Sequence, residues 1–275
     1  MSRKNITYKT PKKILTPTSG FLNDYTHTLN PYAGCVFGCS YCYVRQSPVG
    51  LFRKEEWGTW VDVKQEVKEK LTKEISNLKK RDKQITIFMS SSTDPYQPIE
   101  HKEHVTRSLL EGMTEMPPDF LFVQTRSPFI TRDIDLFKQL KNRLRISVTV
   151  ETDDDLVRKR FSPHAPPIHA RLKAVKQLRD HGLPVQIAIA PVLPFTSQFP
   201  ATIAELVDRI VIDDYYTGDG SSGKRTERLG ISEIYNQEEK REWFGKGTHQ
   251  LAIEKLKAAI PASRIFLSQD GFKPY

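Results

Sequence analysis

The chain has 275 residues, 38% of them hydrophobic and 10% aromatic, enough to bury a sizeable core as one large domain or two small ones. Its net charge of +9 keeps an acidic partner such as nucleic acid open without establishing one. No apolar run approaches the roughly 20 residues of a membrane span, and MSRKNITYKTPKKILTP at the N-terminus has no apolar export segment, so a cytoplasmic protein with reduced thiols is expected.

Residues 1–27 read as an N-terminal extension. A first strand then precedes NPYAGCVFGCSYCY (30–43), which holds every cysteine of the chain: Cys35, Cys39 and Cys42. In VDVKQEVKEKLTKEISNLKK, Val63, Val67, Leu71, Ile75 and Leu78 fall on one helix face, with the lysines of 64–83 on a solvated one. ITIFM (85–89) reads as a buried strand ending in the polar turn SSSTDPYQP, and 101–116 as a helix closed by Pro117 and Pro118.

FLFVQT (120–125) is the next strand, RDIDLFKQLKNRL the next helix, and RISVTVET (145–152) a strand rich in β-branched residues. IHARLKAVKQLRDHG places Ile168, Leu172, Val175 and Leu178 on one helix face, with Gly182 at its end. PVQIAIAP and RIVIDD complete about six strand–helix units. Such alternation predicts an α/β fold of parallel strands with right-handed crossovers over 28–214, either an open sheet or a partial barrel. The clusters SSSTD, QTRS, TVET and IDD each follow an apolar run, so polar residues gather at one rim of strand ends. Residues 215–275, with the loop GDGSSG and a last apolar run RIFLS, read as a C-terminal extension packed on this core.

Three cysteines at such close spacing are metal ligands rather than disulfide partners in a reducing compartment. Zinc would need a fourth ligand, and His27 is the nearby candidate. That alternative describes a non-catalytic, zinc-stabilised nucleic-acid-binding protein. A four-iron cluster usually takes four cysteines, so three leave one iron open to bind a small molecule.

The spacing Cys35-x3-Cys39-Ser40-Tyr41-Cys42 resembles the radical S-adenosylmethionine (SAM) signature. NPYAGCVFGCSYCYVR, SSTDPYQPIE, TRSPFITRDIDL, RISVTVETDDD and IHARLKAVKQLRDHGLPVQIAIAPVLP, over roughly residues 28–195, are similar to the spore photoproduct lyase-related group within it. The resemblance implies a partial (β/α)6 TIM-type barrel and a [4Fe–4S] cluster held by Cys35, Cys39 and Cys42. It also implies SAM on the open iron, cleaved reductively to a 5′-deoxyadenosyl radical that abstracts hydrogen from a substrate. The group's named member repairs a DNA lesion, and the expected electron donor is a flavodoxin or ferredoxin.

By the same resemblance, Tyr41 packs near the SAM adenine, and Ser91, Ser92 and Thr93 receive the amino group. Arg126 pairs with the carboxylate, and Thr149 and Glu151 contact the ribose, with Arg160 and Arg171 as further candidates that rim salt bridges explain as readily. Asp94 is equally readable as a turn residue. Phe37 stands where the group often has histidine. No cysteine lies outside the cluster motif, so a hydrogen returned by the protein would have to come from a residue such as Tyr96, Tyr215, Tyr216 or Tyr235.

Overall fold

The computed structural model describes residues 5–275. Its strands are β1 (Asn5–Lys9), β2 (Leu15–Pro17), β3 (His27–Leu29), β4 (Tyr32–Ala33), β5 (Trp60–Lys64), β6 (Thr86–Met89), β7 (Phe120–Thr125), β8 (Leu144–Thr149), β9 (Val185–Ile189), β10 (Ile210–Ile212) and β11 (Ile265–Leu267). The main sheet has the order β11-β10-β9-β8-β7-β6-β3-β2. All its pairings are parallel except β2 with β3. A small sheet, β1-β5-β4, lies apart from it.

The six strands anticipated from the sequence are β3 and β6 to β10. The run RIFLS adds a seventh parallel strand, pairing Ile210 with Ile265 and Ile212 with Leu267. Val63 departs from the expected helix: it lies in β5, in register with Tyr8 on one side and Tyr32 on the other. The β-branched residues of WVDVK favour the ladder, and the helix starts only at Val67, after Glu66 at φ 54°.

Helices Val67–Lys79, Val105–Glu115, Ile134–Leu140 and Ile168–Asp180 follow β5, β6, β7 and β8. The outward residues Ile87, Met89, Leu121, Val123, Ile146, Val148, Ile187 and Ile189 pack with these helices in one core. The alternate residues turn inward, as the period of two requires.

Inside, Phe88, Phe120, Phe122, Ala188 and Val211 form a second apolar cluster with Tyr25 and Phe272. Phe88 and Phe122 stack at 4.8 Å, and Tyr25 meets Phe88 edge-on at 5.3 Å. Tyr25 donates its hydroxyl to the carbonyl of Phe272 at 2.6 Å. Gln269 bonds the carbonyl of Phe21 at 2.9 Å and Asn23 Oδ1 at 3.0 Å, tying the last helix to the N-terminal segment. The result is a partial β/α barrel with an aromatic floor.

This floor should show in stability. Phe272→Ala is expected to cost about 3 kcal/mol, because a large buried ring leaves a cavity. Tyr25→Phe, which removes only the hydroxyl, should cost about 1 kcal/mol. Urea unfolding of the two variants measures both values.

Candidate functional site

The cysteine loop sits on the rim because glycines let it turn there. Gly34 has φ +80°, and a Cβ on it would lie 2.6 Å from Trp60. Gly38 has φ +56°. Gln97 pins the loop by accepting from Val36 N at 3.0 Å and donating to the Gly34 carbonyl at 3.2 Å, where Thr93 also donates at 2.6 Å. Ser40 N reaches the Phe161 carbonyl at 2.9 Å. The three cysteines are free thiols, Cys35 and Cys39 buried and Cys42 partly so.

Desolvation raises all three thiols: Cys35 strongly, Cys39 against the pull of Arg126, and Cys42 to about 12. Buried thiols of this kind give up their protons only when a metal takes the sulfur charge. Arg126 supplies a positive neighbour, its Nη1 donating to Cys39 Sγ at 3.2 Å. Three thiols with a buried cation at their sulfur fit an anionic iron–sulfur cluster, whose thiolates bind separate irons.

The fourth ligand that zinc would need does not stand beside the cysteines. His27 opens β3 in register with Ile87, bonds Thr26 Oγ1 at 2.8 Å, and lies near Glu74 and Lys83 rather than the cysteines. Among the described residues no three His, Cys, Asp or Glu side chains converge as one metal ion needs.

A cavity of about 360 Å³ opens inside the barrel beside the loop. Its wall includes Cys35, Cys42, Tyr41, Ser91, Ser92, Thr93, Asp94, Arg126 and Thr149. The anticipated SAM residues therefore converge on it, apart from Glu151. Glu151 is 1% exposed, and its oxygens are already occupied. Oε2 accepts from Arg171 Nη1 at 2.6 Å, and Oε1 accepts from the Tyr41 hydroxyl and lies 3.3 Å from Arg126 Nε. Although burial opposes ionisation, Arg171 and Arg126 hold its carboxyl down at about 2. The Glu151 carboxylate anchors two arginines. Arg126, expected on a carboxylate, is turned to Cys39 and Glu151.

Other expectations sort as follows. Thr149 Oγ1 accepts from Gln124 Nε2 at 2.6 Å. Asn30 organises the serine turn, donating to Ser91 Oγ at 3.1 Å and accepting from Ser92 N at 2.9 Å. Asp94 is a turn residue and a cross-strand clasp: it accepts from Tyr96 N, Thr125 Oγ1 and Arg126 N. Arg160 makes the rim salt bridge, to Glu239 at 2.8 Å. Phe37 is buried in the core. Of the four tyrosines, Tyr215 lines the cavity, with the Tyr235 hydroxyl 3.2 Å behind its own. Tyr96 points to Asp133 at 3.0 Å.

The sequence reading missed Asp213 as a site residue, although IDD stood at a strand end like its counterparts. Asp213 lines the cavity and accepts from Thr217 Oγ1 at 2.6 Å. Burial pushes its carboxyl up to about 7 against the hydrogen bonds of Thr217 and Ser268, with Asp214 raising it further and His249 lowering it.

With this geometry in hand, the comparisons decide the class. The model of the radical SAM superfamily matches residues 29–207. An uncharacterized protein of Methanocaldococcus jannaschii is 31% identical over 183 residues, 66% of each chain. The spore photoproduct lyase of Bacillus subtilis is 28% identical over 163 residues, 59% of this chain and 44% of that one. The chain thus spans two thirds or less of the length of these relatives. A solved spore photoproduct lyase complexed with dinucleoside spore photoproduct aligns with a TM-score of 0.66 at 12% identity, covering 96% of this chain and 81% of that one. The chain belongs to the radical SAM superfamily, and its fold is the partial barrel of that superfamily. The superfamily's cofactors are a [4Fe–4S] cluster and SAM, and its enzymes need a reductant. No helix among the described residues is long and apolar enough to cross a membrane.

Two outcomes follow from the charges. A hydrogen bond and a buried cation at a cluster sulfur raise the reduction potential. Arg126→Leu should therefore move the midpoint negative, by about 59 mV for each tenfold loss in the one-electron equilibrium, with Arg126→Lys in between. Redox titration followed by electron paramagnetic resonance of the reconstituted protein reads this. For Asp213, the folded carboxyl lies above its ordinary 3.8, so the folded chain retains a proton that the unfolded chain has lost. Stability should then fall as pH rises from about 4 to 7, by up to about 1.4 kcal/mol per unit. Asp213→Asn removes that slope, and denaturant unfolding of both proteins across the range tests it.

Proposed function

We propose that this enzyme uses its cavity to expose a substrate C–H bond to the 5′-deoxyadenosyl radical, and that the substrate is a damaged nucleic acid. The observation that carries the first part is the convergence of Cys35, Cys42, Tyr41, Ser91, Ser92, Thr93 and Thr149 on one cavity. Reduced cluster and SAM together supply the radical. The chain's own part is to hold the cofactors at the rim and keep the barrel interior dry.

Cys35, Cys39 and Cys42 are assigned as the cluster ligands. Tyr41, Ser91, Ser92, Thr93 and Thr149 are assigned to SAM, with Arg126 and Glu151 acting behind them. The aromatic floor of Phe88, Phe122 and Phe272 excludes water from below. The nucleic-acid reading is supported by the net charge of +9 and by the named lyase among the relatives. Since the chain's only three cysteines are the ligands, a hydrogen returned by the protein comes from an O–H group, and Tyr215 on the cavity wall is our candidate. A flavodoxin or ferredoxin is the proposed electron donor.

Anaerobic reconstitution should give a brown protein with about four irons per chain that forms 5′-deoxyadenosine with dithionite and SAM. Cys35→Ala, Cys39→Ala and Cys42→Ala should each abolish the product. A colourless, inactive wild type would overturn the enzyme reading. For the substrate, tighter binding to ultraviolet-irradiated than to untreated DNA across a salt series is expected. Equal binding at every salt concentration would overturn the nucleic-acid reading.

A further inference from the structure

Below the residues assigned to SAM, the barrel interior changes character in one step. Phe88 pairs with Phe122 in register, and both turn inward onto Tyr25 and Phe272. One layer higher come Ser90, just beyond β6, and Gln124 in β7, which line the same cavity as Phe21, Leu22, Phe88 and Phe272. Above them stand Arg126 and Asp213. The middle layer is neutral and polar, between an apolar floor and a charged rim.

That middle layer is unsatisfied. Ser90 is 7% exposed, and its Oγ has no hydrogen-bond partner. Gln124 donates Nε2 to Thr149, and the other end of its amide, Oε1, is buried without a partner. Trp57 Nε1 and Arg126 Nε, on residues of the same cavity wall, are unpartnered too, but Ser90 and Gln124 lie level with each other. Buried polar atoms are nearly always paired, so orphans at one level of one cavity mark a place where a ligand completes the bonding. Ser90 also holds φ +80°, a left-handed conformation that a serine adopts against its preference, with its N–H on the Leu29 carbonyl at 2.8 Å. Strain kept at a cavity wall is typical of functional positions.

We infer that the floor of the cavity is the substrate's seat, with Ser90 and Gln124 recognising a planar, neutral group of the carboxamide or lactam type that stacks on Phe88. The polar edge of such a group offers an N–H and a C=O together, matching a hydroxyl that both donates and accepts and an amide with one free end. A carboxylate or ammonium seated in this layer would find no charge level with it, because Arg126 and Asp213 stand one layer higher, at the rim. The inference rests on the proposed reading of the cavity as the place of hydrogen abstraction.

The test needs neither iron nor SAM, so its failure is separate from failure of the enzyme reading. Benzamide, toluene and benzamidine serve as probes of the iron-free 275-residue chain, with affinities from ligand-observed NMR titration. Wild type should bind benzamide at least tenfold more tightly than toluene. Ser90→Ala with Gln124→Leu should bring the two within twofold. Gln124→Glu should instead reverse the preference from benzamide to benzamidine, a gain that a misfolded protein cannot produce. Wild type binding benzamide and toluene alike, or Gln124→Glu showing no reversal, would overturn the assignment.

Discussion

The active end of this barrel depends on one buried carboxylate. Glu151 follows β8, Arg126 follows β7, Arg171 comes from helix Ile168–Asp180, and Tyr41 comes from the cysteine loop; all four meet at the same two oxygens. An isolated charge at 1% exposure would cost several kcal/mol, and removing one partner of such a set leaves the others uncompensated. The set is therefore held together or lost together. It contains two cations and one anion, and the surplus positive charge is delivered through Arg126 to Cys39 Sγ. A group that becomes more negative on reduction is thereby favoured at the rim.

From this rim downward, the period of two in each strand sorts the interior into layers. FLFVQTR sends Phe120, Phe122, Gln124 and Arg126 inward in order, so one strand passes from aromatic to amide to guanidinium as it rises. IVID ends in Asp213 after the inward Val211. The parallel registers of β6, β7 and β8 keep these steps level across neighbouring strands. Dryness at the floor and charge at the rim are two consequences of a single alternation.

Much of this was legible in the sequence. Continuous β-branched and aromatic runs such as FLFVQT can only be buried strands, and polar clusters after each run betray the rim. The cysteine spacing and its glycines indicate a tight turn that gathers the three thiols. Other features were not legible, for physical reasons. Val63 satisfies both a helical and a strand pattern, and its pairing with β1 and β4 decides the matter. That Glu151 would meet Arg171 and Arg126 is a choice of partner across tens of residues, which periodicity does not encode. RIFLS is too short to declare itself a sheet strand until β10 offers it an edge.

The last point bears on where the site ends. Residues 215–275 resemble an appendage when read from composition, yet they enclose the cavity from two sides. Phe272 closes the floor against Phe88 and Phe122. At the rim, Asp219 gathers the N–H groups of Ser221, Gly223, Arg225 and Thr226, and this fold-back brings Asp219, Gly220, Arg225 and Thr226 to the cavity wall beside Tyr215. A barrel cut at residue 214 would keep its cysteines but lose both the aromatic plug and this rim. Water would then reach the cavity from both ends. The segment that matches the superfamily, 29–207, contains the three cysteines, while residues outside it supply much of the cavity's enclosure.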